Sequence, residues 1–382
     1  MYDAVVIGAG PAGTSLAAVL AGRGWDVLVL EQRANLGHKV CGEFISWEAQ
    51  STLQRLGLLA GVHAARPASL ARAVLTSRSG VAAGFDLARG SWGLSRKSLD
   101  TAIADAAQAA GAELSMGVRV QRFDQVNGGY TIEARSNGRI IEIRCRALIA
   151  ACGRSSSSEL PPRSQAAPES GLVGIKRHYK NVSMPPQVEL YFFEGGYIGL
   201  APIEGGIVNL CLLASRKALE GAEKDPAGLI EALAGRIPGI GNRLAGGEPI
   251  EASLLAAAPV DLWRKADPWD SVACVGDAAA MIPPLAGDGI AAALRSVELC
   301  APLAHAYLSG DLTLERWRQA YRSRWHASFD RPLALTRRLE TWLGSAVGSN
   351  LLLGVGSILP PVARRLAGMT RSRANSAPPF MT

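Results

Sequence analysis

What this sequence has little of narrows it first. No apolar run reaches the length of about 20 residues that a spanning helix needs. The nearest, Trp342 to Leu359, is interrupted by glycine, serine and asparagine. The six cysteines, Cys41, Cys145, Cys152, Cys211, Cys274 and Cys300, include no CxxC pair and no dense framework. They predict free thiols in a reducing cytoplasm, and no metal site is expected. A strand begins almost at residue 1, so no secretory leader is expected. No basic stripe is interleaved with aromatics, which excludes a nucleic-acid partner. Acids are missing after Glu340, while Arg364, Arg365, Arg371 and Arg373 follow. Such a tail is either a solvated end or a site of peripheral contact with an anionic membrane surface or an acidic partner.

What is present reads as globular. Hydrophobic residues make up 48% and charged residues 19% of 382 positions, and 42 glycines suit a fold with many tight turns. The 40 basic and 33 acidic residues, net +7, are mixed along most of the chain.

Along the chain, Ala4 to Ile7 is a short, wholly apolar run, as a buried parallel strand should be. A glycine turn follows from Gly8 to Gly13, then a helical stretch from Thr14 to Arg23, and a second apolar strand, Val27 to Leu30. Helices are expected over 47–60 and Lys97–Ala110. Strands are expected at Val118–Phe123, Tyr130–Ala134, Ile140–Cys145 and Ala147–Ala151, with Asn-Gly turns at Asn127-Gly128 and Asn137-Gly138. A Ser/Pro/Arg-rich connector spans 155–170. Antiparallel strands follow at Leu172–Tyr179, Val188–Phe193, Tyr197–Ala201 and Ile207–Leu213, then helices over 216–245. Val272–Val275 is a buried strand again, a helix starts near Gly287, and the remainder reads as helical.

The first motif is Gly8-x-Gly10-x-x-Gly13 between strand and helix. Gly8 allows the tight turn, Gly10 the approach of a pyrophosphate, and Gly13 the close packing of helix on strand. Glu31, with Gln32 beside it, ends the next strand, where a carboxylate can accept hydrogen bonds from ribose hydroxyls and would repel a 2′-phosphate. FAD or NAD is therefore favoured over NADP at this site. The second motif is Gly276-Asp277 at the end of a strand, with Gly287-Asp288-Gly289 opening a helix. An Asp there can bind a ribityl hydroxyl, and a glycine-rich helix start can face a pyrophosphate or the flavin pyrimidine edge.

Together these motifs resemble the flavoprotein group that includes para-hydroxybenzoate hydroxylase and the geranylgeranyl reductases. Arg96 to Asp100 is similar to that group's R-x-x-L-D segment, whose arginine comes near the flavin; alone, Arg96 and Asp100 would read as surface charges. Lys39-x-Cys41-Gly42 resembles the K-x-C-G segment of the geranylgeranyl reductase branch. The resemblance puts Cys41 at the flavin face, as proton donor or as a plain loop residue, and makes Gly42 the point where backbone approaches the ring. His38 and Glu43 are acid–base candidates beside it. Gly195 to Pro202 also has a counterpart in that branch, so Tyr197 either contacts substrate or belongs to the core. In one respect the chain departs: Cys152 stands where most of the group has the acid of an Ala-Asp-Gly element, which leaves the route of the nicotinamide open. The Trp-x-Trp-x-Ile-Pro element of halogenase relatives is missing.

The resemblance implies a mixed α/β and α+β fold. A Rossmann-like FAD-binding domain (1–75, 95–155 and 265–310) is interleaved with an antiparallel-sheet substrate domain (76–94 and 165–264) and followed by a helical region, 311–382. It implies FAD as cofactor, NAD(P)H as a transient donor, and a lipophilic or aromatic small molecule as substrate. The expected activity is monooxygenation; the alternatives are reduction of isoprenoid C=C bonds, and a non-catalytic flavin or thiol redox sensor. Oligomeric state is not legible.

Overall fold

The protein is described by a computed structural model that covers residues 1–154, 160 and 171–358. Most of the expected connector at 155–170 and the basic tail with Arg364, Arg365, Arg371 and Arg373 lie outside the described residues.

Ala4, Val5 and Val6 are fully buried and Ile7 nearly so. A strand apolar on both faces must sit in the middle of a covered sheet. Tyr2–Ile7 is accordingly flanked by two parallel neighbours, Val5 pairing with Leu28 on one side and Leu148 on the other. The sheet runs Trp269–Asp270, Val272–Cys274, Arg139–Ala150, Tyr2–Ile7, Val27–Glu31, Glu113–Met116, and the hairpin Val118–Val126/Gly129–Ser136 continues antiparallel from Arg139–Ala150. Arg139–Ala150 is one strand where two were expected. Helices Pro11–Ala21, Arg96–Ala109 and Gly289–Leu308 pack with it around one core.

The second sheet has the order Glu248–Val260, Leu172–Lys180, Val208–Ser215, Gly196–Pro202, Gln187–Phe193, Ala68–Thr76, Ala82–Gly93, Phe44–Ile45. Its pairs are antiparallel except Gln187–Phe193 with Ala68–Thr76. The domain limit expected at residue 75 thus falls inside a strand of this sheet, and strand Ala68–Thr76 pairs with Gln187–Phe193 and Ala82–Gly93. Glu248–Val260 was not expected as a strand at all. The first helix of the returning segment starts at Gly289, two residues later than expected.

Period-two alternation decides what each face of this sheet carries. Val173, Ile175, Tyr179, Ile198, Leu200, Leu210 and Leu212 face one way, onto Leu229, Ile230, Leu233 and Ile240 of the short helices behind. Their in-between neighbours, Lys176, His178, Tyr197, Asn209 and Cys211, point toward the first domain.

Helix Leu314–Gly344 is 31 residues long. Trp317, Tyr321, Trp325, Phe329 and Leu333 recur every fourth residue on one face and are buried against the first core. Its last turns, and helix Ala346–Ile358, leave that core and close over the gap between the two sheets.

Candidate flavin and substrate site

A single cavity of 840 Å³ runs between the sheets, from the glycine turn to the C-terminal helices. Of the residues singled out in the sequence, Gly8, Gly10, Glu31, Gln32, Cys41, Gly42, Arg96, Tyr197, Gly276, Asp277, Gly287 and Gly289 all line it. Gly13 does not. A Cβ there would lie 1.9 Å from the Gly8 carbonyl oxygen, so its role is the close contact of helix with strand.

At one end the residues fit a dinucleotide. Gly8 has φ 108°, and a side chain on it would meet the Ala151 carbonyl at 2.5 Å. Gly10 is different: a Cβ there meets nothing nearer than Lys39 Nζ at 4.0 Å, so the space beside it is open to the cavity. Helices Pro11–Ala21 and Gly289–Leu308 both begin at this cavity, and neither has a side chain capping its first turn. Two sets of unpaired N–H groups with two partial positive charges therefore face one space, an arrangement made for phosphates. Glu31 is buried, accepting Ala9 N–H and Arg33 N–H at 3.0 Å each, which orients its remaining lone pairs. Burial pushes the Asp277 carboxyl above the ordinary value, against the pull of Arg154, Arg96 and Arg264.

In the middle, loop 38–43 is held from several sides. Arg96 donates to both Asp100 oxygens at 2.8 and 3.0 Å, and Lys39 Nζ donates to Asp100 Oδ2 at 2.9 Å. Asp100 is fully buried, which removes its reading as a surface residue. Burial works against the Arg96 charge, but Asp100 and the adjacent Cys41 sulfur outweigh it and hold its pKa above the usual arginine range. Cys41 Sγ also accepts Glu43 N–H at 3.3 Å, and Asn209 Nδ2 donates to the Cys41 carbonyl at 3.1 Å.

The Glu43 carboxylate has no exposure. Oε1 accepts Arg96 N–H at 2.7 Å and an ion pair from the fully buried Lys176, while Oε2 meets His178 Nε2 at 2.7 Å. Burial alone would raise its pKa; the His178 hydrogen bond and the Lys176 charge outweigh that and leave it below the ordinary carboxylate value. The His38 ring stands edge-on to His178 at 4.9 Å, and its pKa is lowered by burial and by Lys176. His38, Glu43 and His178 lie close enough to ligate an ion, but both Glu43 oxygens are engaged and Lys176 already supplies the balancing cation. Sequence reading missed Lys176, His178 and Asn209; the signal for the first two was a run of basic residues in a buried strand, and for Asn209 a single amide in an otherwise mostly apolar one.

Cys152 lines the cavity, and burial pushes its thiol up to about 12, so it is protonated near neutrality and a poor sensing thiolate.

The far end is apolar. Tyr197 is 8% exposed, packed with Phe192, Leu213, Val260, Leu343 and Leu353, yet it also reaches the cavity. Tyr197 thus packs in a core cluster and also lines the cavity.

This cradle defines a flavoprotein, and the chain belongs to the FAD-binding domain family, whose profile matches residues 1–324. It is an FAD-dependent oxidoreductase. More particularly, it is 28% identical over 345 residues to digeranylgeranylglycerophospholipid reductase 1 of Methanopyrus kandleri, covering 86% of this chain and 87% of that one. In fold it is similar to the flavin-dependent brominase Bmp2, with a TM-score of 0.79 at 19% identity over 99% of this chain and 96% of that. It is also similar to a geranylgeranyl bacteriochlorophyll reductase-like protein from Thermoplasma acidophilum, with a TM-score of 0.73 at 22% identity over 96% and 99%.

Proposed function

We propose that this flavoprotein reduces C=C bonds of a long, lipophilic, isoprenoid-like molecule, with NAD(P)H as transient donor. The observation that carries the reading is the position of loop Lys39–Glu43, where the polar and apolar ends of one cavity meet. The similarity to a reductase named for a digeranylgeranylglycerophospholipid supports it. Bound FAD supplies the reducing equivalents. The chain does the rest. Glu31 takes the ribose hydroxyls, the two helix starts and Gly10 take the pyrophosphate, and Asp277 takes a ribityl hydroxyl. Gln32, Gly276, Gly287 and Gly289 shape this end, Arg96 and Gly42 border the ring, and Cys41 is the proton donor. The apolar chamber beyond excludes water.

The substrate's entry is assigned to the C-terminal helices. Trp342, Val347, Leu351 and Val355 are exposed, Val347 at 79%, on the same helices whose Leu343, Leu352 and Leu353 line the chamber. Among the described residues no helix is long and apolar enough to cross a membrane, so contact with a lipid surface would be peripheral.

The test is anaerobic reduction with NADPH or NADH, followed by a geranylgeranyl lipid. Gain of two hydrogens in the product is expected, with loss of that gain in Cys41→Ala. Oxygen incorporation into a phenol after air is admitted would instead establish the monooxygenase, and absence of any donor consumption would establish a non-catalytic flavin protein. Full activity in Cys41→Ala removes the thiol from the reaction.

A further inference from the structure

Loop 38–43 carries a cation whose charge its protein partner does not balance. Lys39 lines the cavity, and its ammonium donates to Asp100 Oδ2 at 2.9 Å. That carboxylate is already engaged. Arg96 donates to both of its oxygens, at 2.8 and 3.0 Å, and the Asp100 side chain has no exposure. Two cations thus share one buried anion, which leaves a surplus of one positive charge. The neighbouring buried carboxylate does not take it up, because Glu43 is paired with Lys176 and His178. Of the two cations at Asp100, Lys39 is the more open, its side chain 22% exposed against 14% for Arg96. A Cβ placed on Gly10 would lie 4.0 Å from its nitrogen. The surplus charge therefore stands beside the open space at the glycine turn.

We propose that Lys39 is a counter-cation for the diphosphate of FAD, positioned by Asp100 beside the space at Gly10. The proposal rests on the glycine turn being the phosphate seat of the proposed function, and not on the reaction that follows. Charge decides what kind of ligand fits. Each helix start is equivalent to about half a positive charge, and helices Pro11–Ala21 and Gly289–Leu308 both begin at this cavity. With the surplus at Lys39, the seat offers about two positive charges. The diphosphate of a dinucleotide carries one negative charge on each phosphate and matches it. A flavin without phosphate leaves it unbalanced. Asp100 acts as the positioning residue. Held by Arg96 in a bidentate pair, its carboxylate fixes where the ammonium stands. An ammonium has three donors, so its bond to Asp100 leaves the others for phosphate oxygens. Lys39 also precedes Cys41 by two residues, so this contact ties the cofactor's phosphates to the loop that carries the thiol.

The test uses the full chain freed of its flavin and titrated by calorimetry with FAD, ADP and riboflavin. Lys39→Met keeps most of the side chain's length and removes its charge. Arg96 stays on Asp100 in this variant, so no buried charge is left alone and the fold is expected to persist. FAD and ADP should both weaken, by about tenfold to about a hundredfold, the worth of hydrogen bonds to a charged group. Riboflavin, which has no phosphate, should bind as before, and Lys39→Arg should recover most of the loss. In the parent, FAD affinity should fall as salt rises from about 0.05 M to about 0.5 M, and the fall should be shallower in Lys39→Met. Unchanged FAD and ADP affinity in Lys39→Met overturns the proposal, as does an equal loss for riboflavin or an unaltered salt slope. If Gly10→Ala weakens FAD and Lys39→Met does not, the phosphate seat stands and the counter-cation alone falls. Whether a double bond is ever reduced bears on neither result.

Discussion

Glu43 ties loop 38–43 to the start of helix Arg96–Ala109 and to strand Leu172–Lys180. It sits at φ 57°, a left-handed conformation that costs a non-glycine residue on the order of 1 kcal/mol or more. Its backbone N–H reaches Cys41, its carbonyl accepts Leu94 N–H at 3.0 Å, and its carboxylate binds Lys176 and His178 of the second sheet. Breaking such a pair leaves a buried charge alone, a loss of about 3–5 kcal/mol. Lys176→Met should therefore lower stability at neutral pH by roughly that amount in urea unfolding. The sign of its pH dependence follows from the lowered Glu43 pKa. The stabilisation is complete above the ordinary value of 4.5 and is lost as pH falls through the depressed folded value. The unfolding curves of variant and parent should converge in acid, and equal stability at neutral pH would count against the pair. Cys41 and Glu43 were legible in the sequence because short motifs keep their neighbours. Lys176 and His178 were not, because a strand's alternation gives the face of a side chain and not the partner across the gap.

At the scale of elements, the glycine turn separates two duties that one motif combines. Gly13→Ala must push the helix off the Gly8 carbonyl, whereas Gly10→Ala has room in the protein itself. Gly13→Ala is expected to lower the melting temperature of the flavin-free protein. Gly10→Ala should leave it unchanged while weakening FAD at least about tenfold by ultrafiltration, the result of blocking the approach of the pyrophosphate. Equal effects in both assays would show that the turn does not discriminate. The strand–turn–helix was readable because a wholly apolar strand next to spaced glycines leaves few alternatives. Glu248–Val260 was not. It is a sheet-edge strand rich in alanine, mostly exposed, and its register jumps, with Lys176 opposite Leu255 but His178 opposite Ile250. The strands Ala68–Thr76 and Ala82–Gly93 share the problem, since apart from Phe44–Ile45 the members of the sheet they join lie about a hundred residues on.

For the whole molecule, the two C-terminal helices join an apolar surface to an apolar interior. Replacing Leu351 and Val355 together by Gln should leave the unfolding transition in place, because both side chains are exposed. Co-sedimentation with vesicles of phosphatidylcholine and phosphatidylglycerol should fall several-fold, as the buried area is lost. Unchanged sedimentation would separate the helix face from any membrane role. The way the cavity is assembled also bears on how the protein is made. Its walls come from Ile7 near one end of the chain and Leu353 near the other, with the flavin cradle split between Gly8 and Ile290. A ribosome delivers these in order, so the first glycine turn emerges long before the strand and helix that complete the cradle. Until Ile290 is out, the nascent chain has half a seat for its cofactor. Flavin loading is thus expected to wait for the second half of the cradle.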